Sequence, residues 1–262
     1  MLCFPNAKIN IGLYITGKRA DGYHELQSCF YPIPWYDALE VIATEHTRLT
    51  TSGLTIPGND NLCLQAYHLL RADFDLPSVH IHLHKHIPIG AGLGGGSADG
   101  AFMLKLLNDK FALGLDKERL RQYAAHLGSD CPFFIDNRPV LASGRGEVLS
   151  PLHLSLAGWY IAVVYPQIHI DTATAYRQVT PQPAPLDLQQ ILETAPVAEW
   201  CNLVKNDFEK SAPQAVHDLK KQLYEAGASY AAMSGSGSAV YGLFEENPSF
   251  NTPFPHIVER LG

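Results

Sequence analysis

Apolar and polar side chains alternate at the start of the chain. Between residues 7 and 16 the apolar side chains occupy every second position, at Ile9, Ile11, Leu13 and Ile15. This two-residue period predicts a β-strand with one buried face. Lys8 and Asn10 share the opposite face, where they are either the solvated side of the strand or part of a polar site.

Similar patterns predict the elements of the rest of the chain. A two-residue period or a short apolar run predicts strands at residues 26–33, 38–43, around 49, 78–86, 139–143, 147–149, 159–165, 228–232 and 239–244. Helical periodicity predicts helices at residues 62–74, 98–108, 116–127, 172–178, 186–194 and 213–226, with N-cap candidates in Asn59–Asn61, Asp116 and Asp171. Pro151 and Gly158 bracket a connecting stretch, which predicts two domains, 1–150 and 151–262.

A glycine-rich segment joins the predicted strand 78–86 to the predicted helix 98–108. Residues 88–99 read PIGAGLGGGSAD and contain five glycines. Glycines permit positive φ and let backbone N–H groups approach phosphate oxygens, and the free amides of a helix N-terminus stabilise negative charge. The order of strand, glycine loop and helix therefore predicts an anion site, with a nucleotide polyphosphate as its ligand.

Other glycine-loop chemistries make different demands on the sequence. A Walker loop is excluded because no lysine follows these glycines. The dinucleotide pattern GxGxxG is met by Gly90, Gly92 and Gly95, with Asp116 near the distance of a ribose-binding acid. Asp116, however, precedes a helical pattern as an N-cap does. A dinucleotide site and a turn without a ligand stay open as alternatives.

Several polar positions outside this segment are candidates for chemistry. Tyr23 and His24 end a polar turn and suit a planar heterocycle, by stacking and by hydrogen bonding. Asp130 follows a helix end at Gly128 and stands two residues before a proline, so its carboxylate is either aimed or only part of a turn. The small-residue cluster 233–238 is either a hairpin loop or a second phosphate-binding loop.

A row of histidines falls on one face of the predicted strand 78–86, at His80, His82, His84 and His86. Imidazole is a common metal ligand. Same-face neighbours on a strand are nevertheless ~6.6 Å apart, which disfavours two of them on one metal. The pattern favours a structural role and leaves a metal site as the alternative.

Composition limits the classes of protein. The chain has 262 residues, 46% hydrophobic and 17% charged, which is typical of a soluble globular protein. The sequence has no apolar run of the ~20 residues that a membrane span needs and no signal-peptide pattern at its start, so we expect a cytoplasmic protein. A net charge of −7 disfavours a general nucleic-acid binder. The five cysteines are scattered and contain no CxxC, which predicts free thiols.

Taken together, the motifs resemble a family of small-molecule kinases. The segments are 5–10 (PNAKIN), the glycine-rich segment, 128–133 (GSDCPF) and 234–237 (SGSG). They are similar to the superfamily of galactokinase, homoserine kinase, mevalonate kinase and phosphomevalonate kinase, abbreviated GHMP. Within it they are most similar to the kinases of the non-mevalonate isoprenoid pathway whose substrate carries a cytidine diphosphate group.

The resemblance implies an α+β fold of two domains, an N-terminal one like domain 2 of ribosomal protein S5 and a C-terminal one like an α/β plait, with ATP and substrate meeting between them. It also implies that Asp130 is the general base and Lys8 its electrostatic partner. The positions that it assigns to ATP are Lys85, Pro88, Ile89, Gly90, Ala91, Gly92, Leu93, Gly94, Gly95, Gly96, Ser97, Ala98, Gly235, Ser236 and Gly237. Those that it assigns to the cytidine diphosphate substrate are Asn10, Tyr23, His24, Thr172 and Tyr176. Mg²⁺ is expected from the reaction class, and no motif shows a protein ligand for it.

The sequence departs from the family pattern in two places and leaves rival functions open. Gly100 stands where the family usually has alanine, and the tail after Phe244 is short and proline-rich. The rivals are a kinase of the same superfamily acting on mevalonate or homoserine, a nicotinamide-dependent oxidoreductase, and a non-catalytic nucleotide-binding module. Tyr23, His24 and Tyr176 favour a pyrimidine-bearing substrate among these.

Overall fold

Runs of strands and runs of helices follow one another along the chain in the computed structural model, which describes residues 1–58 and 60–262. The strands of the described residues are β1 (Leu2–Cys3), β2 (Asn6–Lys18), β3 (His24–Tyr36), β4 (Ala38–Ala43), β5 (Arg48–Gly53), β6 (Val79–Lys85), β7 (Val140–Ser143), β8 (Val148–Pro151), β9 (Tyr160–Val164), β10 (Tyr230–Met233), β11 (Val240–Phe244) and β12 (His256–Arg260). The α-helices there are α1 (Leu62–Asp73), α2 (Gly95–Lys110), α3 (Lys117–Leu127), α4 (Phe133–Asp136), α5 (Thr172–Gln178), α6 (Leu188–Thr194), α7 (Trp200–Leu203) and α8 (Gln214–Glu225). Largely antiparallel sheets combined with helices confirm the α+β prediction.

The helix starts follow the predicted caps. Asn61 caps α1, Asp116 caps α3 and Asp171 caps α5, each by accepting a hydrogen bond from a backbone N–H of the first turn. Asn59, another of the three candidates for α1, lies outside the described residues. Because the Asp116 carboxylate is bonded to the Arg119 amide at 2.8 Å, it serves its own helix, as the N-cap interpretation predicted.

The described chain divides into two compact units. The first unit comprises Met1–Ala7, Trp35–Ile89 and Gly94–Arg138, and the second comprises Lys8–Pro34, Gly90–Leu93 and Pro139–Gly262. Each unit is made of three separate segments of the chain, whereas the two domains predicted from the sequence are each one continuous segment. The boundary near residue 150 stays a prediction.

The first unit contains a four-stranded sheet of order β1-β4-β6-β5. Strand β6 is antiparallel to β4 and parallel to β5. Val41 lies opposite Ile81 in the register, and both side chains are buried. Helices α1 and α2 pack on each other, and α2 contacts β4, so the apolar side of the alternation forms a core with the helices.

Three histidines of the row lie on the other face of β6, which ends at Lys85, one residue before His86. The ring nitrogens of His80, His82 and His84 form hydrogen bonds of 2.8–3.2 Å with side chains of the neighbouring strand β5, namely Arg48, Thr50 and Ser52. Within the described residues there is no group of three or more His, Cys, Asp or Glu side chains that could hold a metal ion. The imidazoles therefore tie β6 to the edge strand β5.

The second unit contains two further four-stranded sheets, of order β2-β3-β7-β8 and β10-β11-β9-β12. Strand β9 is antiparallel to both β11 and β12, and helix α8 packs on β10 and β11. One apolar core of this unit is formed by residues that include Leu13, Ile15, Ala162, Val164, Phe208, Val216 and Leu219. The core holds β2 in place, and β2 carries Lys8 and Asn10.

Some short elements were not predicted from the sequence. They include α4, β1, β12 and the 3₁₀ helices Val197–Glu199 and Asp207–Ser211. Short elements have no measurable periodicity, and β12 lies in the proline-rich tail, where it pairs with β9 through tertiary contacts. None of the helices in the described ranges has the length and apolar character needed to span a bilayer.

Candidate active site

The glycine-rich segment forms the start of α2. The helix begins at Gly95, three residues before the predicted Ala98, and its N-cap Gly94 has φ 68°. Gly90 and Gly92 also have positive φ, 67° and 78°. Non-glycine residues pay about 1–2 kcal/mol for this left-handed conformation. The glycines therefore shape the backbone so that the first amides of α2, which have no partner within the helix, are available to an anion.

The part of this segment that belongs to the second unit, Gly90–Leu93, is held by hydrogen bonds to its backbone carbonyls. The Ser234 hydroxyl donates to the Gly92 carbonyl at 2.8 Å. The Ala239 amide donates to the Ala91 carbonyl at 3.0 Å, and the Lys8 amide to the Leu93 carbonyl at 2.9 Å. A Cβ at Gly92 would lie 2.0 Å from the Ser234 carbonyl oxygen. Gly90–Leu93 and the cluster 233–238, two motifs predicted to bind phosphate, thus adjoin.

The cluster 233–238 is a tight loop between β10 and β11. The Asn206 side-chain amide donates to the carbonyls of Met233 and Gly235, both at 2.8 Å. The hydroxyls of Ser236 and Thr172 are hydrogen-bonded at 3.0 Å. The structure therefore brings a residue predicted to bind ATP, Ser236, next to one predicted to bind the other substrate, Thr172.

Lys8 and Asn10 are buried on β2, with 4% and 3% of their surface exposed. The Lys8 ammonium donates to Asn10 Oδ1 at 2.5 Å and lies 4.5 Å from the centre of the Phe30 ring. The interpretation of these two residues as the solvated side of a strand is therefore wrong, because the whole of β2 from Asn6 to Ile15 is buried. Their polar groups have specific partners instead of water.

Several predicted substrate residues of the second unit are aromatic, and with Phe208 they form an aromatic group of Tyr23, His24, Tyr176 and Phe208. His24 stacks on Tyr176 with ring centres 5.1 Å apart, and Tyr176 meets Phe208 edge-on at 4.9 Å. Tyr23 is 57% exposed, and the Arg145 guanidinium lies 4.8 Å from its ring centre. Arg145 was not singled out in the sequence, where the only signal was a basic residue between two glycines in a turn.

Asp130 lies in the turn after α3, in the first unit. The turn is closed by the Cys131 amide, which donates to the Gly128 carbonyl at 3.1 Å, and α4 begins at Phe133. Asp130 is a partly exposed residue. Burial raises the pKa of the neighbouring Cys131 thiol to about 12, so that thiol stays protonated. The predicted partnership of Asp130 with Lys8 stays a prediction.

Lys85 is buried at the end of β6 with two carboxylates. Its ammonium lies 2.5 Å from Asp37 Oδ2 and 2.7 Å from Asp99 Oδ2. Burial lowers the pKa of the ammonium, but the two carboxylates outweigh burial and raise that pKa above its ordinary value. Asp37 Oδ1 also accepts from the amides of His86 and Ile87, at 2.6 and 2.8 Å. The cluster therefore fixes the chain just before the glycine-rich segment, and contact of Lys85 with a nucleotide stays a prediction.

The Asp99 carboxyl makes the stability of this cluster depend on pH. Burial is the main cause that raises the pKa of Asp99, and the Asp37 carboxylate raises it further. The Lys85 ammonium lowers it, and the result is a pKa of about 8. Between the ordinary value of 3.8 and about 8, the folded state binds a proton that the unfolded state releases, so stability falls as pH rises. Asp99→Asn cannot ionise. Its free energy of unfolding should decline less between pH 5 and pH 8 than that of the unmodified protein, as measured by urea denaturation.

Asp75→Asn provides the control, because Asp75 is an exposed carboxylate outside the cluster. This variant should show the same pH dependence as the unmodified protein. If Asp99→Asn and Asp75→Asn lose equal stability from pH 5 to pH 8, then Asp99 is ionised in the folded protein and the expected proton is absent.

Comparison with known proteins places these features in a family. Family models match at residues 61–138, described as the GHMP kinases N terminal domain, and at 201–250, described as GHMP kinases C terminal. The 4-diphosphocytidyl-2-C-methyl-D-erythritol kinase of Bacteroides fragilis is 53% identical over 253 residues, which cover 93% of this chain and 92% of the relative. That of Porphyromonas gingivalis is 49% identical over 259 residues, 96% of this chain and 94% of the relative.

Solved structures agree with the sequence relatives. A crystal structure of a 4-(cytidine 5'-diphospho)-2C-methyl-D-erythritol kinase matches with a TM-score of 0.80 and 33% identity, covering 94% of this chain and 91% of that one. Mevalonate kinase from Methanococcus jannaschii matches with a TM-score of 0.74 but only 12% identity, covering 100% of this chain and 98% of that one, and so shares the fold. The chain therefore belongs to the GHMP kinases and, among them, to the family of the 4-diphosphocytidyl-2-C-methyl-D-erythritol kinases.

Proposed function

We propose that the chain transfers the γ-phosphoryl group of ATP to the 2-hydroxyl of 4-diphosphocytidyl-2-C-methyl-D-erythritol, giving ADP and the 2-phosphate, in the non-mevalonate isoprenoid precursor pathway. The observation that carries the proposal is the 53% identity to a kinase of that name over 93% of the chain.

The aromatic group of the second unit supports a pyrimidine-bearing substrate. The exposed Tyr23 ring and the stacked pair of His24 and Tyr176 offer flat faces for a cytosine ring, and imidazole nitrogens can hydrogen-bond its edge. The Arg145 guanidinium beside Tyr23 is a charged donor suited to a diphosphate. Thr172 adds a hydroxyl donor at the start of α5.

The glycine-rich segment supports the binding of the ATP phosphates. The positive φ values at Gly90, Gly92 and Gly94 and the free amides at the start of α2 are features that bind phosphates elsewhere. Mg²⁺ enters as part of the Mg·ATP substrate, because magnesium at such sites is held largely by phosphate oxygens and water.

The reaction follows from the roles proposed for Asp130 and Lys8. The substrate hydroxyl oxygen attacks the γ-phosphorus as its proton passes to the Asp130 carboxylate. The new O–P bond forms while the bond from the γ-phosphorus to the bridging oxygen of ADP breaks. The Lys8 ammonium offsets the negative charge that gathers on the transferring group. Positioning of the reactants supplies much of the rate, because phosphoryl transfer needs little covalent participation by the protein.

The test is an acceptor comparison. Purified protein is incubated with Mg·ATP and one of three alcohols, 4-diphosphocytidyl-2-C-methyl-D-erythritol, mevalonate or homoserine, and ADP and the phosphorylated product are followed by ³¹P NMR. We expect ADP and a new monophosphate ester only with the cytidine-bearing acceptor. ADP formed at equal or higher rates with mevalonate or homoserine would overturn the proposal.

A further inference from the structure

A chain of buried hydrogen bonds lies behind the Lys8 ammonium and ends at Ser28 on β3. Lys8 Nζ donates to Asn10 Oδ1 at 2.5 Å, and Asn10 Nδ2 donates to Ser28 Oγ at 2.8 Å. Ser28 Oγ in turn donates to the Gly12 carbonyl at 2.6 Å. Ser28 is completely buried, and Lys8 and Asn10 are nearly so.

The direction of each bond in this chain is determined by chemistry. An ammonium only donates, so the Asn10 atom that faces Lys8 must be the carbonyl oxygen and the atom that faces Ser28 must be the NH₂ group. The Ser28 hydroxyl hydrogen is committed to a backbone carbonyl, at Gly12 or, less closely, at Cys29, 3.5 Å away. Ser28 therefore presents a lone pair to Asn10, as the orientation of that amide requires.

The backbone of Asn10 is held separately from its side chain. Its carbonyl accepts from the Tyr241 hydroxyl at 2.9 Å, and its amide donates to Ser234 Oγ at 3.2 Å. The amide plane of the side chain can still rotate by half a turn about its last bond. Lys8 on one side and Ser28 on the other distinguish the two orientations of the amide.

We propose that Ser28 is a positioning residue for the phosphoryl transfer, acting through Asn10 on the Lys8 ammonium. The proposal rests on the role given to Lys8 in the proposed function. Without the Ser28 hydroxyl the buried Asn10 NH₂ group loses its acceptor, and one of the two restraints on the amide is gone. A side chain that turns toward another acceptor carries Oδ1 with it, so the Lys8 ammonium loses the acceptor that Asn10 supplies and moves from its position. A displacement of about 1 Å in a catalytic group costs roughly 10²-fold in rate.

The kinetic test compares Ser28→Ala with variants that keep the geometry. We expect Ser28→Ala to lower kcat by about 10- to 100-fold, with the KM for both substrates changed by less than about 3-fold. Ser28→Thr keeps the hydroxyl and should recover most of the lost kcat. Cys29→Ala removes a comparable buried atom from the adjacent position of the same strand and should leave kcat unchanged.

A double-mutant cycle separates positioning from a general structural effect. In Asn10→Asp both side-chain oxygens accept, so rotation of the group no longer changes what Lys8 meets. Adding Ser28→Ala to Asn10→Asp should therefore lower kcat by less than about 3-fold further. The proposal would be overturned if Ser28→Ala lowered kcat equally in the unmodified and the Asn10→Asp protein. It would also be overturned if Cys29→Ala lowered kcat as much as Ser28→Ala does.

A measurement without substrate keeps this inference distinct from the proposed function. In protein labelled with ¹⁵N-asparagine, the Asn10 NH₂ signal is assigned by its loss in Asn10→Asp. We expect nuclear Overhauser contacts between this NH₂ group and the Lys8 methylene protons to be strong in Ser28→Ala and weak in the unmodified protein. The same contacts in both proteins would overturn the inference whatever the substrate proves to be, and failure of the acceptor assay alone would overturn only the proposed function.

Discussion

Replacing Asp130 by asparagine should lower kcat by about 10²- to 10⁴-fold, the usual contribution of a general base. The two side chains are nearly the same size, and Asp130 lies partly exposed in a turn, so folding should be unaffected. An amide cannot accept the proton that the substrate hydroxyl must release. The rate is measured with saturating Mg·ATP and acceptor, and thermal unfolding is measured on the same samples.

Asp109→Asn is the matched control for this substitution. Asp109 is an exposed carboxylate near the end of α2 in the same unit, and its loss should leave kcat within about 2-fold. If Asp130→Asn retains a third or more of the unmodified kcat, then Asp130 is not the base and the proposed mechanism is wrong.

Gly92→Ala should disrupt the glycine-rich segment itself. Gly92 has φ 78°, and an added Cβ would lie 2.0 Å from the Ser234 carbonyl oxygen and 2.9 Å from its carbon. Both neighbours are backbone atoms, so the segment or the loop 233–238 must move. We expect the free energy of unfolding to fall by at least about 1–2 kcal/mol from the φ strain alone. The kcat/KM for ATP should fall by roughly 10²-fold, the cost of misplaced phosphate donors.

Gly96→Ala tests whether this effect belongs to the position or to the loss of any glycine. Gly96 lies in the first turn of α2, its φ is not positive, and an added Cβ would meet nothing within 4 Å. Alanine is the better helix former by about 1 kcal/mol, so this variant should be at least as stable as the unmodified protein. Equal free energies of unfolding for Gly92→Ala and Gly96→Ala would contradict the strain argument.

The main elements could be predicted because their periodicity is local. The two-residue period of β2 and the Asp116 cap of α3 are both visible within a few residues of sequence, and both are confirmed. The start of α2 could not be placed correctly, because glycine is a poor helix former and the sequence therefore favours a later start. Gly95 is helical where Lys85 and Ile87 leave room only for a hydrogen, a close approach that depends on the packed fold.

The candidate site was predictable as a set of residue types and not as a set of contacts. Lys85 stands on the apolar side of β6, and the sequence alone does not show that the side chains of Asp37 and Asp99 meet it there. Arg145 and Ser28 carried no sequence signal strong enough to single them out. Their partners lie far along the chain, since Arg145 meets Tyr23 and Ser28 meets Asn10 only after strands pair.

The amino-acid sequence by itself determined the order of the main strands and helices, the presence of a glycine loop that suits phosphate, and the family to which its motifs belong. Each of these features depends on residues that are close together in the sequence. The tertiary structure alone decided that Lys8 and Asn10 are buried, that Lys85 is shared by two carboxylates, and that His24 stacks on Tyr176. Burial and pairing depend on which distant segment covers a face, and that is settled by the whole chain packing together.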